Sequence, residues 1–254
     1  MEAESPHEAG RERRESIIGR APCAHRLRRP RARPPPSATH ATWSIVAVDR
    51  RTREVGSAGA SCTPYVAGIV ALAPGGGAIV AQAMSNAQAR RRGIDLIARG
   101  GSPSAVVAAI THPTFDETFA EQQYGVAALS FSDRAAAFTG ARTHPWSGHL
   151  LARGVAVQGN VLTGGEVLTA TMAAFQAEPS LPLAERLLRA LEAGGVKGGD
   201  RRCGVQTARS AYLVVARPGD DAEKPSVRFI VRGQREGGAN PVHLLRESVD
   251  RATR

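Results

Sequence analysis

The sequence has no long apolar run and few cysteines, and each shortage excludes a class of protein. No stretch of about 18 uncharged apolar residues occurs, so the sequence predicts no membrane-spanning helix. The 254 residues include three cysteines, Cys23, Cys62 and Cys203. This small, odd number argues against a disulfide framework and indicates a reducing compartment. We therefore expect a cytoplasmic protein without a disulfide framework.

Aromatic residues are also scarce, and this weighs against nucleic-acid binding. They make up 4% of the sequence, although the formal net charge is +10. Proteins that bind single-stranded nucleic acid combine a basic groove with aromatic stacking platforms, whereas the arginines here are scattered. We attribute the positive charge mainly to the arginine-rich composition of the sequence and not to a binding surface. Nucleic-acid binding through the basic leader is the weakest hypothesis. Binding whose affinity does not change with salt concentration would contradict it.

Residues 1–41 form a leader rich in arginine and proline. The leader holds nine Arg and five Glu, and Pro34, Pro35 and Pro36 follow one another near its end. Such a segment cannot bury enough apolar surface to fold, so we predict disorder. It also lacks the apolar region of about 7–15 residues that a signal peptide needs. A removable propeptide, a basic interaction tail and a translation start placed too far upstream all remain open.

Residues 42–254 are predicted to form a single layered α+β domain. Strand alternation places Thr42 and Ser44 on one face of a strand and Trp43 on the other, and both faces are mostly apolar further along. Strands joined by hairpins, then helices, then more strands indicate antiparallel sheets covered by helices. The strands are predicted at 42–48, 55–61, 78–84, 124–129, 135–140, 155–160, 211–215 and 227–231. The helices are predicted at 86–99, 102–110, 166–177, 183–193 and 241–251. A loop with Trp146, Gly148 and His149 is predicted before the strand at 155–160, and a glycine-rich loop at 194–202.

Thr42 is the first candidate for chemistry. If processing made it the first residue, its hydroxyl would lie next to a free α-amino group with a pKa of about 8. A Thr hydroxyl is a weak nucleophile until a neighbouring base takes its proton, and a terminal amine can be that base. The alternative is that Thr42 is only a β-favouring residue that opens a strand.

Asn160, Asp200 and Arg201 complete the candidate site. Asn160 ends an apolar strand with an amide that can donate a hydrogen bond to a developing oxyanion. Asp200 could orient the terminal amine, and Arg201 could hold a substrate carboxylate with two hydrogen bonds. The alternative for this loop is a salt bridge with an Asp turn cap.

His149 and Cys203 are weaker candidates. His149 has no recognisable partner in the sequence and is more often structural in such a context. Cys203 follows two arginines, which would favour its thiolate, but a lone cysteine is usually a small buried residue. No His-Glu-x-x-His pattern occurs. We predict neither a bound metal nor a cofactor.

Several ordered sequence blocks resemble one known family. The blocks are residues 42–49, 136–141, 158–164, 184–194 and 198–202. Together they resemble the family catalogued as domain of unknown function 1028, which is placed in the N-terminal nucleophile hydrolase superfamily. The resemblance implies a four-layer αββα sandwich. It also implies that the family's threonine near the chain start, commonly exposed when an initiator Met is removed, matches Thr42.

The sequence departs from this family pattern in two places. Ala41 precedes Thr42, so the 41 leader residues must be missing or cleaved before a terminal nucleophile exists. Residues 203–210 also differ from the shorter Gly-Lys-Gln-Ser form of many relatives. The leading hypothesis is a hydrolase of small-molecule or small-peptide amides, with a homo-oligomer left open. The rival is a non-catalytic binding or assembly protein that keeps the same fold.

Overall fold

The computed structural model describes residues 42–131 and 134–254. The leader, and the predictions made for it, lie outside the described residues. The strands are β1 (Thr42–Val48), β2 (Val55–Ser61), β3 (Val70–Ala73), β4 (Gly77–Gln82), β5 (Gln123–Ala128), β6 (Ala136–Thr139), β7 (Gly148–Ala152), β8 (Val155–Asn160), β9 (Ser210–Ala216) and β10 (Val227–Val231). The helices are α1 (Ala87–Ala98), α2 (Pro103–Ile110), α3 (Glu166–Ala177), α4 (Leu183–Val196) and α5 (Pro241–Ala252).

These strands form two antiparallel sheets. The larger sheet has the order β10-β9-β2-β1-β8-β7, and the smaller has the order β3-β4-β5-β6. β1 lies between β2 and β8 and pairs with both along its length. The predicted fold class, an α+β domain with two antiparallel sheets, is confirmed.

Three apolar cores show how the layers stack. In the first, Trp43 and Ile45 pack with the inward faces of α3, α4 and α5. In the second, Val46 and Val48 from the opposite face of β1 pack against the smaller sheet. In the third, the smaller sheet packs against α1 and α2. The order of layers is therefore helix, sheet, sheet, helix, and the alternation predicted for β1 is confirmed.

The helix starts follow from local sequence. The Asn86 side chain accepts a hydrogen bond from the Ala89 backbone N–H at 2.9 Å and caps α1. The Ser102 side chain caps α2 in the same way, with Pro103 at the first helical position. Asn and Ser accept orphan N–H groups at a helix start, and proline fits there because it has no N–H to satisfy. The cap predicted at Ser102 is confirmed.

Two strands and a helix end differ from the sequence-based prediction. β7 lies in the segment predicted as a loop, and β3 was not predicted at all. Both are short edge strands, so they carry little alternation. Gly194 was predicted to open a loop, yet it lies inside α4. A Cβ at Gly194 would collide with Thr171 and Trp43, so close packing of α4 on the larger sheet requires glycine there.

The structure contains a disulfide bond, although the cysteine count argued against a disulfide framework. Cys62, directly after β2, is bonded to Cys203 in the short 3₁₀ segment that follows α4. The two cysteines are 141 residues apart in sequence, so only the folded chain brings them together. The cysteine count therefore no longer supports a reducing compartment.

The described residues also bear on the membrane prediction. Of the α-helices in residues 42–131 and 134–254, none is long and apolar enough to cross a bilayer.

Candidate active site

Thr42 lies at the polar end of the layer between the two sheets. Along β1, the inter-sheet face changes from polar Thr42 and Ser44 to apolar Val46 and Val48. Thr42 is 2% exposed and is paired in register with Asn160 of β8, which is 1% exposed. Buried polar side chains at one end of an otherwise apolar layer need partners. Most of those partners are amides from the facing strands.

Gln82, at the end of β4, holds the main chain of Thr42. Its Nε2 donates to the Thr42 carbonyl oxygen at 3.2 Å and to Gln123 Oε1 at 2.8 Å. Its Oε1 accepts from Ser44 Oγ at 2.6 Å. One amide from the smaller sheet therefore fixes the start of β1 in the larger sheet.

Asn160 is held in the same network and keeps a donor available. Its Nδ2 donates to Gln123 Oε1 at 3.3 Å, which is the only hydrogen bond of this nitrogen to the described residues. Gln123 Nε2 in turn donates to the carbonyl oxygens of Gly148 and Gly159, each at 2.9 Å. Because an amide nitrogen carries two N–H groups, Asn160 has a second N–H without a partner among the described residues, but Asn160 is not among those that line the small cavity at Thr42.

Gln158 shows how tightly this layer is packed. Its Nε2 donates to Ser44 Oγ at 2.6 Å, whereas its Oε1 is buried and has no partner among the described residues. That oxygen lies against Gly125 of β5, where a Cβ would collide with it. An unsatisfied buried acceptor costs about 1–3 kcal/mol. Native structures keep few buried polar atoms without a partner, and a role at a functional site is one reason for keeping such an atom.

Thr42 lines a small cavity, which we call the threonine cavity. Thr42 Oγ1 makes no hydrogen bond to residues in the described part of the chain. The cavity has a volume of about 110 Å³. Its lining includes Thr42, Thr63, Tyr65, Gly68, Gln82 and Ser85. Since one water in the liquid occupies about 30 Å³, this space admits only a few waters or a small chemical group.

Positive φ angles occur next to two of these residues. Of the four non-glycine residues with positive φ in the described ranges, Arg53 lies in the β1–β2 turn, and Ala83, Val161 and Thr207 have φ angles of 68°, 53° and 62°. Ala83 follows Gln82 and lines the threonine cavity, and Val161 follows Asn160. Non-glycine residues in the left-handed region cost of order 1–3 kcal/mol each and cluster at functional sites. The strain supports a functional role for this end of the sheets.

Asp200 lies at the end of the larger sheet where β1 begins. Its main chain bridges to Leu162, just after β8, and its Oδ2 accepts from the Cys62 backbone N–H at 2.7 Å, just after β2. Since β1 lies between β2 and β8, the buried Asp200 carboxylate lies at the end where β1 begins. The antiparallel register that pairs Trp43 with Ala60 brings Cys62 one residue beyond the level of Thr42.

Arg202, and not Arg201, pairs with Asp200. Arg202 Nη2 donates to Asp200 Oδ2 at 2.8 Å, and the Arg202 backbone N–H is 3.1 Å from Asp200 Oδ1. The turn cap and salt bridge considered as the alternative are therefore present. Arg201 is exposed and is not among the described residues that line the threonine cavity. Its substrate-binding role stays a prediction.

His149 is connected to the site at a distance. Its Nδ1 lies 2.9 Å from Thr139 Oγ1, which also lies 2.9 Å from Gln123 Nε2. Desolvation lowers the pKa of His149 below its ordinary value. His149 is linked to Gln123 through Thr139.

Gln82 and Gln123 were missed from the sequence, although a signal was present. Each is a glutamine at the end of an apolar strand, which is a costly position unless the amide has partners. No cluster of three or more His, Cys, Asp or Glu side chains in the described ranges could hold a metal ion.

The comparisons with known proteins identify the family. The chain belongs to the family of unknown function DUF1028, whose model matches residues 42–236. It is similar to the crystal structure of protein SPO2555 from Silicibacter pomeroyi, which carries the same family name. The two chains are 27% identical with a TM-score of 0.71, over 84% of this chain and 87% of that one. A comparison with curated proteins gives no match.

Proposed function

We propose that the chain is an amide-bond hydrolase in which Thr42, once it is the first residue, acts as the nucleophile. The observation that carries this proposal is the position of Thr42, which lines a cavity, is paired in register with Asn160, and has a hydroxyl without a hydrogen bond to the described residues. The four-layer arrangement and the resemblance to N-terminal nucleophile hydrolases also support it. The small volume of the threonine cavity favours a small-molecule amide as the substrate.

Each group in the proposed reaction has one task. The Thr42 α-amino group takes the hydroxyl proton while Oγ1 attacks the amide carbonyl carbon. The second N–H of Asn160 donates to the oxyanion, a contact worth about 10²–10³ in rate in comparable sites. The carbon–nitrogen bond then breaks, and the leaving amine takes the proton from the α-ammonium group. Water attacks the resulting ester and releases the acid.

Asp200 is proposed to orient the α-amino group. Its carboxylate is buried at the end where β1 begins and is held there by the Cys62 N–H and by Arg202. A carboxylate accepts hydrogen bonds from an amine or an ammonium group, so it can hold the base in place and stabilise its protonated form. Arg202 offsets the negative charge of the carboxylate.

A free amine is expected to be essential. When Thr42 follows another residue, its nitrogen belongs to a peptide bond and cannot take a proton. We expect a protein that begins at Thr42 to hydrolyse small acyl anilides, and the same protein with one glycine added before Thr42 to be inactive. Release of the aniline chromophore measures both proteins, and their circular dichroism spectra check the fold. Equal hydrolysis by the two would contradict the proposal.

A further inference from the structure

A second and larger cavity adjoins the threonine cavity, and we call it the arginine groove. Its volume is about 580 Å³, which is within the range of small-molecule sites. Tyr65 and Gly68 line both cavities. The groove lies between α1 and β3 on one side and β9, β10 and their connecting loop on the other. A molecule that reached Thr42 could therefore extend into the groove.

Arg90 of α1 lines the groove with a guanidinium group that has no acidic partner. Its Nη1 donates to Ser85 Oγ at 2.7 Å, and Ser85 lines the threonine cavity. Within residues 42–131 and 134–254, Arg90 forms no ion pair. Burial, and then repulsion from Arg91, lower the pKa of Arg90. A partly desolvated cation without a carboxylate is unfavourable, so Arg90 is suited to receive an anion.

The rest of the groove combines a small positive excess with apolar walls. Arg91 and Arg228 add to Arg90, whereas Asp95 and Glu223 oppose it, so the lining carries one net positive charge. The apolar part of the lining includes Leu72, Ile94, Val214 and Ile230. A guanidinium fork matches carboxylate and phosphate geometry. The lining therefore fits an organic molecule with an apolar body and an acidic group.

We propose that the arginine groove binds the acidic end of an organic anion, with Arg90 contacting its carboxylate or phosphate group. This inference rests on the proposed function, because the anion would be the part of the amide substrate that lies away from the bond to be cleaved. The substrate class is then an amide that carries an acidic group. Arg90 takes the role that the sequence suggested for Arg201.

The test is the binding of paired small probes by the full chain. Glutarate and inorganic phosphate are titrated and their dissociation constants measured by calorimetry, with uncharged glutaramide as the matched control. We expect glutarate or phosphate to bind and glutaramide not to bind. Arg90→Gln should weaken binding by about 10- to 100-fold, because a charge-assisted hydrogen bond is lost. Which of the two anions binds distinguishes a carboxylate from a phosphate.

Arg92→Gln provides the control for net charge. Arg92 is exposed on the same helix and is not among the described residues that line the groove, so this variant should bind like wild type. Arg90→Gln should not lower the melting temperature without a probe, because it removes an unpaired, partly buried charge. Equal binding by wild type and Arg90→Gln, or the absence of Arg90-dependent binding for both anions, would overturn the inference.

Thr42→Ala separates this inference from the proposed function. That variant should bind the anion as wild type does, because Thr42 does not line the groove among the described residues. If Arg90-dependent binding is found but Thr42 proves dispensable for hydrolysis, the proposed mechanism fails and the groove stands. If Thr42 is required for hydrolysis but Arg90→Gln changes the binding of neither anion, the inference about the groove fails and the proposed mechanism stands.

Discussion

Replacing Thr42 with alanine is expected to lower amide hydrolysis by at least about 10³-fold, since removal of a nucleophile eliminates the covalent route. Thr42→Ser should keep measurable activity, because it retains both the hydroxyl and the α-amino group. The measurement is kcat/KM for small acyl anilides with protein that begins at residue 42. Intact mass after rapid quenching should show the acyl adduct with threonine or serine and not with alanine.

Thr63→Ala provides a matched control for this experiment. Thr63 is a second threonine that lines the threonine cavity, but it lies within the chain and has no α-amino group beside it. This variant should still form the acyl adduct, even where its KM changes. An alanine variant at Thr42 that hydrolyses the anilide as fast as wild type would rule out the nucleophile assignment, and so would an adduct that maps to Thr63.

Loss of the disulfide between Cys62 and Cys203 is expected to lower the free energy of unfolding by about 2–5 kcal/mol, because a cross-link over so many residues strongly restricts the unfolded chain. The bond also holds the 3₁₀ segment after Asp200 against the end of β2. The comparison is urea unfolding of wild type and of the double variant Cys62→Ser/Cys203→Ser.

A reducing agent provides the internal control for the disulfide experiment. It should lower the stability of wild type to near that of the double variant, and it should leave the double variant unchanged. Cys23→Ser, in the leader, should behave like wild type. Equal unfolding free energies for oxidised wild type and the double variant, or two reactive thiols at Cys62 and Cys203 in untreated protein, would contradict the account.

The layers were predictable because the residues that form them carry strong local patterns. The alternation in β1 assigned Thr42 and Ser44 to one face and Trp43 to the other. The packing of Trp43 against the helices and the hydrogen bond from Ser44 to Gln82 of the smaller sheet confirm this. Ser102 and Pro103 marked the start of α2. These signals depend on neighbours in sequence, so they can be read without the fold.

The errors in the fold arise from contacts between distant residues. Gly194 reads locally as a helix breaker, but Trp43 needs the space that a side chain there would fill. The Trp43 indole also donates to the Leu191 carbonyl oxygen at 3.3 Å, which ties α4 to β1. Cys62 and Cys203 read as unpaired because their pairing depends on a turn that no local pattern shows.

The candidate site was only partly predictable for the same reason. The register of β1 and β8 places Asn160 opposite Thr42, and the strand ends bring Asp200 to the start of β1. Those two residues stood out because they are polar at the ends of apolar or glycine-rich segments. Arg201 was suggested by charge alone, and the adjacent Arg202 makes the ion pair. Arg90 drew no attention because one arginine on a charged helix is ordinary until its burial and the absence of an acidic partner among the described residues are known.

The most direct test of the central claim is N-terminal sequencing, with intact-mass analysis, of protein purified from its native host. The account predicts a mature chain that begins at Thr42, with a free α-amino group at the start of β1. A mature chain that retains any residue before Thr42 would contradict it, because the proposed base would be part of a peptide bond. The chain would then be better explained as a non-catalytic binding or assembly protein with the same fold.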